Sequence, residues 1–167
     1  MNDRMTASDI KKIEEEIEYR KVTLRPKLLE DLKEARAQGD LSENFEYYAA
    51  KRANNKNNSR IRYLERMIGT AQIIDDTSAD DEVGINNWVT VYIEEDDAEE
   101  TYKIVTPIRA NSLKGFISIE SPLGKALLKH KVGDKVEVKV NDSYSYIAEI
   151  RDLDSSTDDS EDEISSY

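Results

Sequence analysis

The residues best suited to chemistry lie in one short polar turn. Residues 39–44 read Gly-Asp-Leu-Ser-Glu-Asn, and the two acids are Asp40 and Glu43. Paired carboxylates at an exposed turn are ligands for a hard divalent cation such as Mg²⁺, although a partner would have to complete the coordination shell. The same pair also fits a capping box, in which Asp40 accepts a backbone N–H of the next helix and Glu43 reaches back. Both interpretations stay open on these residues alone.

A helix is predicted before this turn. Apolar residues recur there at spacings of three, four or seven, which is typical of an amphipathic helix with coiled-coil character. Thr6 is its expected N-cap, with Asp9 three residues on as a variant of the capping box. The pattern continues to about Ala37, although Pro26 is expected to kink the helix. Gly39 is the expected stop.

A second helix is predicted after the turn, starting near Leu41. Its apolar stripe comprises Phe45, Tyr48, Ile61, Leu64, Ile68 and Ala71. Its middle, residues 54–59, is rich in asparagine, a poor helix former, and this predicts a weak, fraying segment. Two such helices joined by a short turn predict an antiparallel coiled-coil hairpin that carries the turn at its tip.

The second half of the chain changes to the alternating pattern of strands. It predicts a small antiparallel sheet from the segments Trp88–Ile93, Glu100–Thr106, Phe116–Ile119, Lys135–Val140 and Tyr144–Ile150. Ser121 and Pro122 open one short helix, Leu123–Lys129. The fold class is therefore α+β. The predicted divisions are a hairpin over residues 1–76, a sheet domain over 77–151 and a disordered acidic tail over 152–167.

Composition and charge exclude several classes of protein. The 167 residues include no cysteine and one histidine, so disulfides, thiolate zinc sites and a Ser-His-Asp triad are not expected. Without an apolar run of about 20 residues or an apolar signal core, a cytoplasmic protein with no membrane partner is expected. The net charge of −12 opposes non-specific binding to nucleic acid.

One local stretch departs from this acidic balance. Residues 51–66 contain a single acid, Glu65, and six basic residues: Lys51, Arg52, Lys56, Arg60, Arg62 and Arg66. Such a stripe is either a solvated helix face or a surface that touches a phosphate backbone inside a larger assembly.

The turn and its flanks resemble a known signature. The block Gly39–Lys51, reading GDLSENFEYYAAK, is similar to the signature of the GreA/GreB transcript cleavage factors of bacterial RNA polymerase. The segment Ser121–Leu128, reading SPLGKALL, resembles the family's C-terminal signature, and the resemblance covers about residues 5–140. The family implies the coiled-coil hairpin and a C-terminal domain of FKBP-like fold.

The resemblance also implies a mechanism and its residues. The C-terminal domain would dock on the rim of the polymerase secondary channel through Ser121, Pro122, Leu123 and Gly124, and the hairpin would enter the channel. Asp40 and Glu43 would then hold Mg²⁺ jointly with the polymerase active centre and promote cleavage of backtracked RNA. The expected supporting residues are Leu41, Ser42, Asn44 and Tyr48, which shape the tip, and Arg52 and Lys56, which contact the nascent RNA 3′ end.

By this resemblance the chain is an accessory factor, not an enzyme, and the free protein is expected to be a monomer. A channel-binding regulator that modulates or inhibits the polymerase without cleavage remains the alternative. A generic coiled-coil adaptor explains the apolar stripe but not the block at the turn.

Overall fold

A computed structural model describes residues 4–39 and 44–165. The chain divides into two compact units. A helical unit comprises Ile10–Ala71, and a sheet unit comprises Met1–Asp9 together with Gln72–Tyr167. The N-terminal residues join the sheet unit because β1 (Arg4–Met5) pairs in parallel with β2 (Gln72–Ile73). The predicted boundary near residue 76 places both strands in the hairpin and does not anticipate this pairing.

The helices follow the apolar periodicity closely. They are α1 (Ala7–Tyr19), a π-helical segment (Arg20–Leu24), α2 (Arg25–Ala37) and α3 (Phe45–Thr70). The predicted cap of α1 is confirmed: the Thr6 N–H donates to Asp9 Oδ2 at 3.0 Å, and the Asp9 N–H donates to Thr6 Oγ1 at 3.2 Å. Gly39, just beyond α2, has a φ of 115°, a conformation that glycine adopts without strain.

Pro26 is accommodated by the π-helical segment. The Arg25 N–H donates to the Arg20 carbonyl, one residue farther back than in an α-helix, and α2 continues from there. A proline ring in a regular helix clashes with the carbonyl four residues earlier, and a wider turn relieves that clash. The first helix therefore reaches Ala37, as the periodicity predicts, with a change of winding before the proline.

The two arms of the hairpin meet through a polar seam where the apolar stripe is interrupted. Asn57 accepts from Arg20 Nη1 at 2.9 Å and donates to the Arg20 carbonyl at 3.2 Å. Arg25 Nε donates to Asn58 Oδ1 at 3.2 Å. Hydrogen bonds from Arg60 and Arg20 also meet on the Glu16 carboxylate. We define the polar seam as Glu16, Arg20, Arg25, Asn57, Asn58 and Arg60.

The asparagine-rich segment is helical in the structure, and its predicted fraying in solution stays a prediction. Helix α3 is continuous from Phe45 to Thr70, and Asn57 is buried. The low helix propensity of asparagine is offset because Asn57 and Asn58 form hydrogen bonds with the opposite arm. Propensity alone does not include such tertiary bonds.

The sheet unit is a five-stranded mixed sheet. Its strands are β3 (Trp88–Ile93), β4 (Ala98–Val105), β5 (Phe116–Ser118), β6 (Lys135–Asn141) and β7 (Tyr144–Asp154), in the order β5-β4-β3-β7-β6. The pairs are antiparallel except β4–β5, which is parallel, so the prediction of a purely antiparallel sheet is wrong at this edge. The long connection through two 3₁₀ turns, Pro107–Arg109 and Ser112–Lys114, returns β5 in the same direction as β4.

One helix, α4 (Pro122–Leu127), packs over the sheet core. Leu123 and Leu127 belong to that core, together with alternate residues of the strands. Ser121 caps α4 as predicted, because its Oγ accepts the Gly124 N–H at 3.1 Å. A Cβ at Gly124 would lie 2.0 Å from the Ser118 carbonyl oxygen, so only glycine fits there.

The acidic C-terminal segment is ordered by its contacts, contrary to the prediction of disorder. Strand β7 continues to Asp154, and Asp162 is buried. The composition of the segment predicts too little apolar burial to fold, but ion pairs with Lys103 and Arg109 hold Asp162 instead. None of the described helices is both long and apolar enough to cross a membrane.

The polar seam predicts opposite effects for two neighbouring asparagines. Asn57→Ala should lower the free energy of unfolding by about 1–2 kcal/mol, because it removes hydrogen bonds between the arms. The matched control, Asn55→Ala, changes an exposed residue of the same helix and should raise stability by about 0.5 kcal/mol through helix propensity. Urea unfolding followed by circular dichroism measures both. Equal stabilisation by both changes would contradict the role of the seam.

Candidate functional site at the closed end of the hairpin

Asn44 joins the two helices that flank the turn. Its backbone is non-helical, with φ −88° and ψ 91°, and its side-chain oxygen accepts the Tyr47 N–H at 2.9 Å, so it is the N-cap of α3. Its Nδ2 donates to the Ala35 carbonyl in α2 at 2.7 Å. Ala35 is buried, which lets the two helices approach at this level. A single side chain thus caps one helix and ties it to the other.

The position of this cap shows where α3 begins relative to the turn acids. Residues 40–43 lie outside the described residues, so Asp40, Leu41, Ser42 and Glu43 have no described contacts. The N-cap position of α3, however, belongs to Asn44, and α3 begins at Phe45 instead of near Leu41. The start of α3 is therefore capped by Asn44, and the roles of Asp40 and Glu43, as helix cap or as cation ligands, stay predictions.

Aromatic and basic side chains surround the first turn of α3. The Tyr47 and Tyr48 rings meet edge to face with centroids 5.4 Å apart, and the Arg36 guanidinium lies 5.6 Å from the Tyr47 centroid. A hydrogen bond from Arg36 lowers the pKa of Tyr47, and the charge of Lys51 acts in the same direction. The tip thus combines a rigid aromatic pair with positive charge from both arms.

Three of the predicted supporting residues share one exposed face of α3. Tyr48, Arg52 and Lys56 recur at intervals of four residues, and all three are exposed. Arg52 and Lys56 lie about 10 and 16 Å along the helix axis from Phe45, at 1.5 Å rise per residue. The face therefore forms a track of positive charge leading away from the turn.

Three residues differ from their predicted surroundings. Arg60, a member of the basic stripe, is 8% exposed and donates from Nε to Glu16 Oε2 at 2.9 Å, so it belongs to the polar seam. Phe45, predicted on the apolar stripe, is 84% exposed. Tyr48 is also exposed, so the seam between the helices begins beyond this first turn. No short-range signal in the sequence marks Arg60 as buried, because its partner Glu16 lies 44 residues away in the chain.

The predicted docking residues are mostly parts of the fold. Leu123 and Gly124 are buried in the sheet unit, and Ser121 is occupied as the cap of α4. Pro122 is the one of the four that is exposed. A docking role stays a prediction, and Leu123 and Gly124 would serve it by fixing the position of α4.

The turn acids are the residues for which the sequence predicts metal binding. Among residues 4–39 and 44–165, no group of three or more acids or histidines is arranged to hold a metal ion. Asp40 and Glu43 offer the hard carboxylate oxygens that suit Mg²⁺, and two side chains leave most of its coordination to other ligands.

Comparison with known proteins identifies the family. The profile of "Transcription elongation factor, N-terminal" matches residues 4–73, and that of "Transcription elongation factor, GreA/GreB, C-term" matches residues 78–154. Transcription elongation factor GreA of Thermotoga neapolitana is 42% identical over 136 residues, which cover 81% of this chain and 87% of the relative. The chain belongs to the GreA/GreB family of transcription elongation factors. The resemblance at the turn is thereby confirmed.

The chain is also similar to other proteins. GreA of Brucella anthropi is 42% identical over 135 residues, covering 80% of this chain and 86% of the relative. The crystal structure of GreA factor homolog 1 of Thermus thermophilus matches with a TM-score of 0.42 at 23% identity, covering 90% of this chain and 97% of that one. The family profile ends at Asp154, the last residue of β7, so the segment that follows lies beyond it.

The two hydrogen bonds of Asn44 can be separated by substitution. Asn44→Ala should remove both, lower the free energy of unfolding by about 1–2 kcal/mol and speed hydrogen exchange at the Tyr47 amide. Asn44→Asp should keep the cap, and with it the protection of Tyr47, while losing the bond to Ala35. Hydrogen exchange measured residue by residue distinguishes the two. Equal acceleration at Tyr47 in both variants would contradict the assignment of the cap.

Proposed function

We propose that this elongation factor binds bacterial RNA polymerase, inserts its hairpin into the secondary channel and stimulates cleavage of backtracked nascent RNA. In this role the chain is an accessory factor, and the polymerase carries out the hydrolysis. Docking of the sheet unit on the channel rim is part of the proposal, with α4 as its contact. Membership of the GreA/GreB family supports a function in transcription elongation. The residues at the end of the hairpin support the specific step, which is stimulated RNA cleavage.

The observation that carries the proposal is the capping of α3 by Asn44. Asn44 supplies the acceptor at the helix start and the tie to α2. Asp40 and Glu43 of the adjoining turn, next to an exposed Phe45 and Tyr48, would then be available to contact something outside this chain. A coiled-coil adaptor would have no use for them.

The residues divide the chemical tasks as follows. Asp40 and Glu43 would hold Mg²⁺ together with polymerase carboxylates and RNA, and the bound ion supplies charge stabilisation and an activated water for phosphodiester hydrolysis. Leu41, Ser42 and Asn44 set the conformation of the turn. The seam and the cap hold the turn in place, which matters because misplacing a catalytic group by about 1 Å costs about a hundredfold in rate.

Arg52 and Lys56 would guide the RNA. Both side chains are exposed on the face of Tyr48, so they can approach phosphates of an RNA 3′ segment extruded along the hairpin. Arginine and lysine bind phosphate by charge-assisted hydrogen bonds. Tyr48 offers a ring on which a base can stack.

A regulator that occupies the same channel without cleavage is the second candidate. The exposed aromatic and basic face would serve binding equally well in either role. The acids distinguish the two, since a purely occlusive factor needs no metal ligands. Their presence at the turn favours cleavage.

Removing the acidic charge at the turn should strongly reduce stimulated cleavage but leave binding to RNA polymerase intact. We expect Asp40→Asn and Glu43→Gln each to reduce stimulated cleavage by about a hundredfold or more, because a metal ligand is lost. Binding to polymerase, measured by competition with labelled wild-type protein, should change little. The assay uses a stalled, backtracked complex of the cognate polymerase.

The matched control is Glu46→Gln, which removes an exposed acid from the first turn of α3. This variant should cleave like the wild type. If binding and cleavage fell together in the turn variants, the acids would serve the fold instead. If the turn variants cleaved normally, the proposed role of the metal would be wrong and the occlusive regulator would be favoured.

The RNA contact has a control of the same charge and spacing. The double change Arg52→Gln with Lys56→Gln should raise the factor concentration for half-maximal cleavage by about tenfold, since two charge-assisted contacts are lost. Arg62→Gln with Arg66→Gln alters two exposed arginines farther from the turn and should have little effect. Equal effects of the two pairs would indicate general attraction to the polymerase instead of RNA contact along the tip face.

A further inference from the structure

The segment after β7 is fastened to the sheet unit by polar bonds. We call residues 155–165 the C-terminal strap. Near its start Thr157 Oγ1 donates to the Asn86 carbonyl, and at its end the Ser165 N–H donates to the Ile108 carbonyl at 2.8 Å. Asp162 is the only buried residue of the strap. The strap is thus attached without burying an apolar side chain.

Asp162 fills a pocket formed by two buried cations. Lys103 Nζ donates to its two carboxylate oxygens at 2.9 and 3.0 Å, and Arg109 Nη1 donates to Oδ2 at 2.8 Å. Lys103 is 4% exposed and Arg109 is 1% exposed. Lys103 Nζ also donates to the Asp158 carbonyl at 2.6 Å. Charge-assisted bonds of this kind are strong where water is excluded.

Residues outside the strap also hold the two cations in place. Arg109 Nε donates to Asp9 Oδ1 at 2.6 Å, and Arg109 Nη1 donates to Asn86 Oδ1 at 2.7 Å. Lys103 Nζ lies 5.2 Å from the Phe116 ring centroid. Arg109 Nη2 is buried without a hydrogen-bond partner in the described part of the chain. Without Asp162, two cations would face one carboxylate, Asp9.

We propose that Lys103 and Arg109 form a carboxylate-binding site, which the strap closes in cis and which an acidic peptide of another protein occupies when the strap detaches. Asp9 and Asn86 place acceptor oxygens beside Arg109, so the extra oxygens of a phosphate would meet acceptors there. A planar, singly charged carboxylate matches the donors and restores neutrality. A segment held by a few polar bonds opens locally more easily than a sheet core.

A trans-binding experiment tests the site in the full chain. Asp162→Asn removes the negative charge that the strap places in the site, so the strap should compete less strongly for it. A fluorescently labelled peptide of residues 155–165 should therefore bind this variant about tenfold more tightly than it binds the wild type. The same peptide carrying D162N should bind about tenfold more weakly than the unchanged peptide. Trp88, the only tryptophan, packs 5.9 Å from the Phe116 ring and gives an independent fluorescence signal.

Glu163→Gln is the matched control, because Glu163 neighbours Asp162 in the strap but is exposed. This variant should bind the peptide as weakly as the wild type. Failure of a folded Asp162→Asn variant to bind would overturn the proposal. Displacement of the peptide by an RNA oligonucleotide or by inorganic phosphate at equal concentration would overturn the assignment to carboxylates.

Hydrogen exchange on the wild type tests the detachment without any variant. The Ser165 amide, bonded to Ile108, should exchange through local opening at least about tenfold faster than the Ile150 amide, which is bonded to the Asp134 carbonyl within the sheet unit. If both amides exchange only through global unfolding, the strap is a fixed part of the fold and no site opens. This result decides the question even if Asp162→Asn does not fold.

Discussion

The side-chain amide of Asn44 makes the connection on which the closed end of the hairpin depends. Its oxygen caps α3, and its nitrogen bonds to the carbonyl of Ala35 in α2. A carboxylate in its place could accept but not donate, so it could not perform both tasks. Because an amide performs both tasks, the proposed role of Asp40 and Glu43 in metal binding does not require either acid to cap α3.

At the polar seam, hydrogen bonds between side chains also connect the two arms farther from the turn. Between Glu16 and Arg25 the first arm offers charged and backbone groups where a coiled coil would have apolar residues, and Asn57 and Asn58 supply matching partners. Burial alone would raise the pKa of Glu16, but hydrogen bonds from Arg60 and Arg20 outweigh it and lower the pKa below its usual value. Specific polar pairs between helices fix their register. A fixed register places the turn reproducibly, as a catalytic tip requires.

Much of this architecture could be predicted from local patterns. The cap at Thr6, the stop at Gly39, the cap at Ser121 and the strand regions each depend on short-range chemistry that the sequence displays. The turn acids were also identifiable, since their spacing and flanks are distinctive. Local rules and a specific motif therefore describe the elements and nominate the site.

The features that sequence reasoning missed all depend on partners distant in the chain. Asn57 looks like a helix breaker until Arg20 is placed opposite it, and Arg60 looks solvated until it meets Glu16. The direction of β5 depends on how a long connection folds back. Asp162 resembles disordered tail until Lys103 and Arg109 enclose it. For Asn57, Arg60 and Asp162 a long-range polar bond overrides a local tendency.

The Mg²⁺ dependence of stimulated cleavage tests the central claim most directly. The rate of RNA cleavage in a backtracked complex is measured against Mg²⁺ concentration, with saturating wild-type factor or saturating Glu43→Gln. The variant should need about a hundredfold more Mg²⁺ than the wild type for its half-maximal rate, because a ligand to the ion is lost. An unchanged Mg²⁺ requirement with a uniformly lower rate would contradict the assignment of the turn acids as metal ligands.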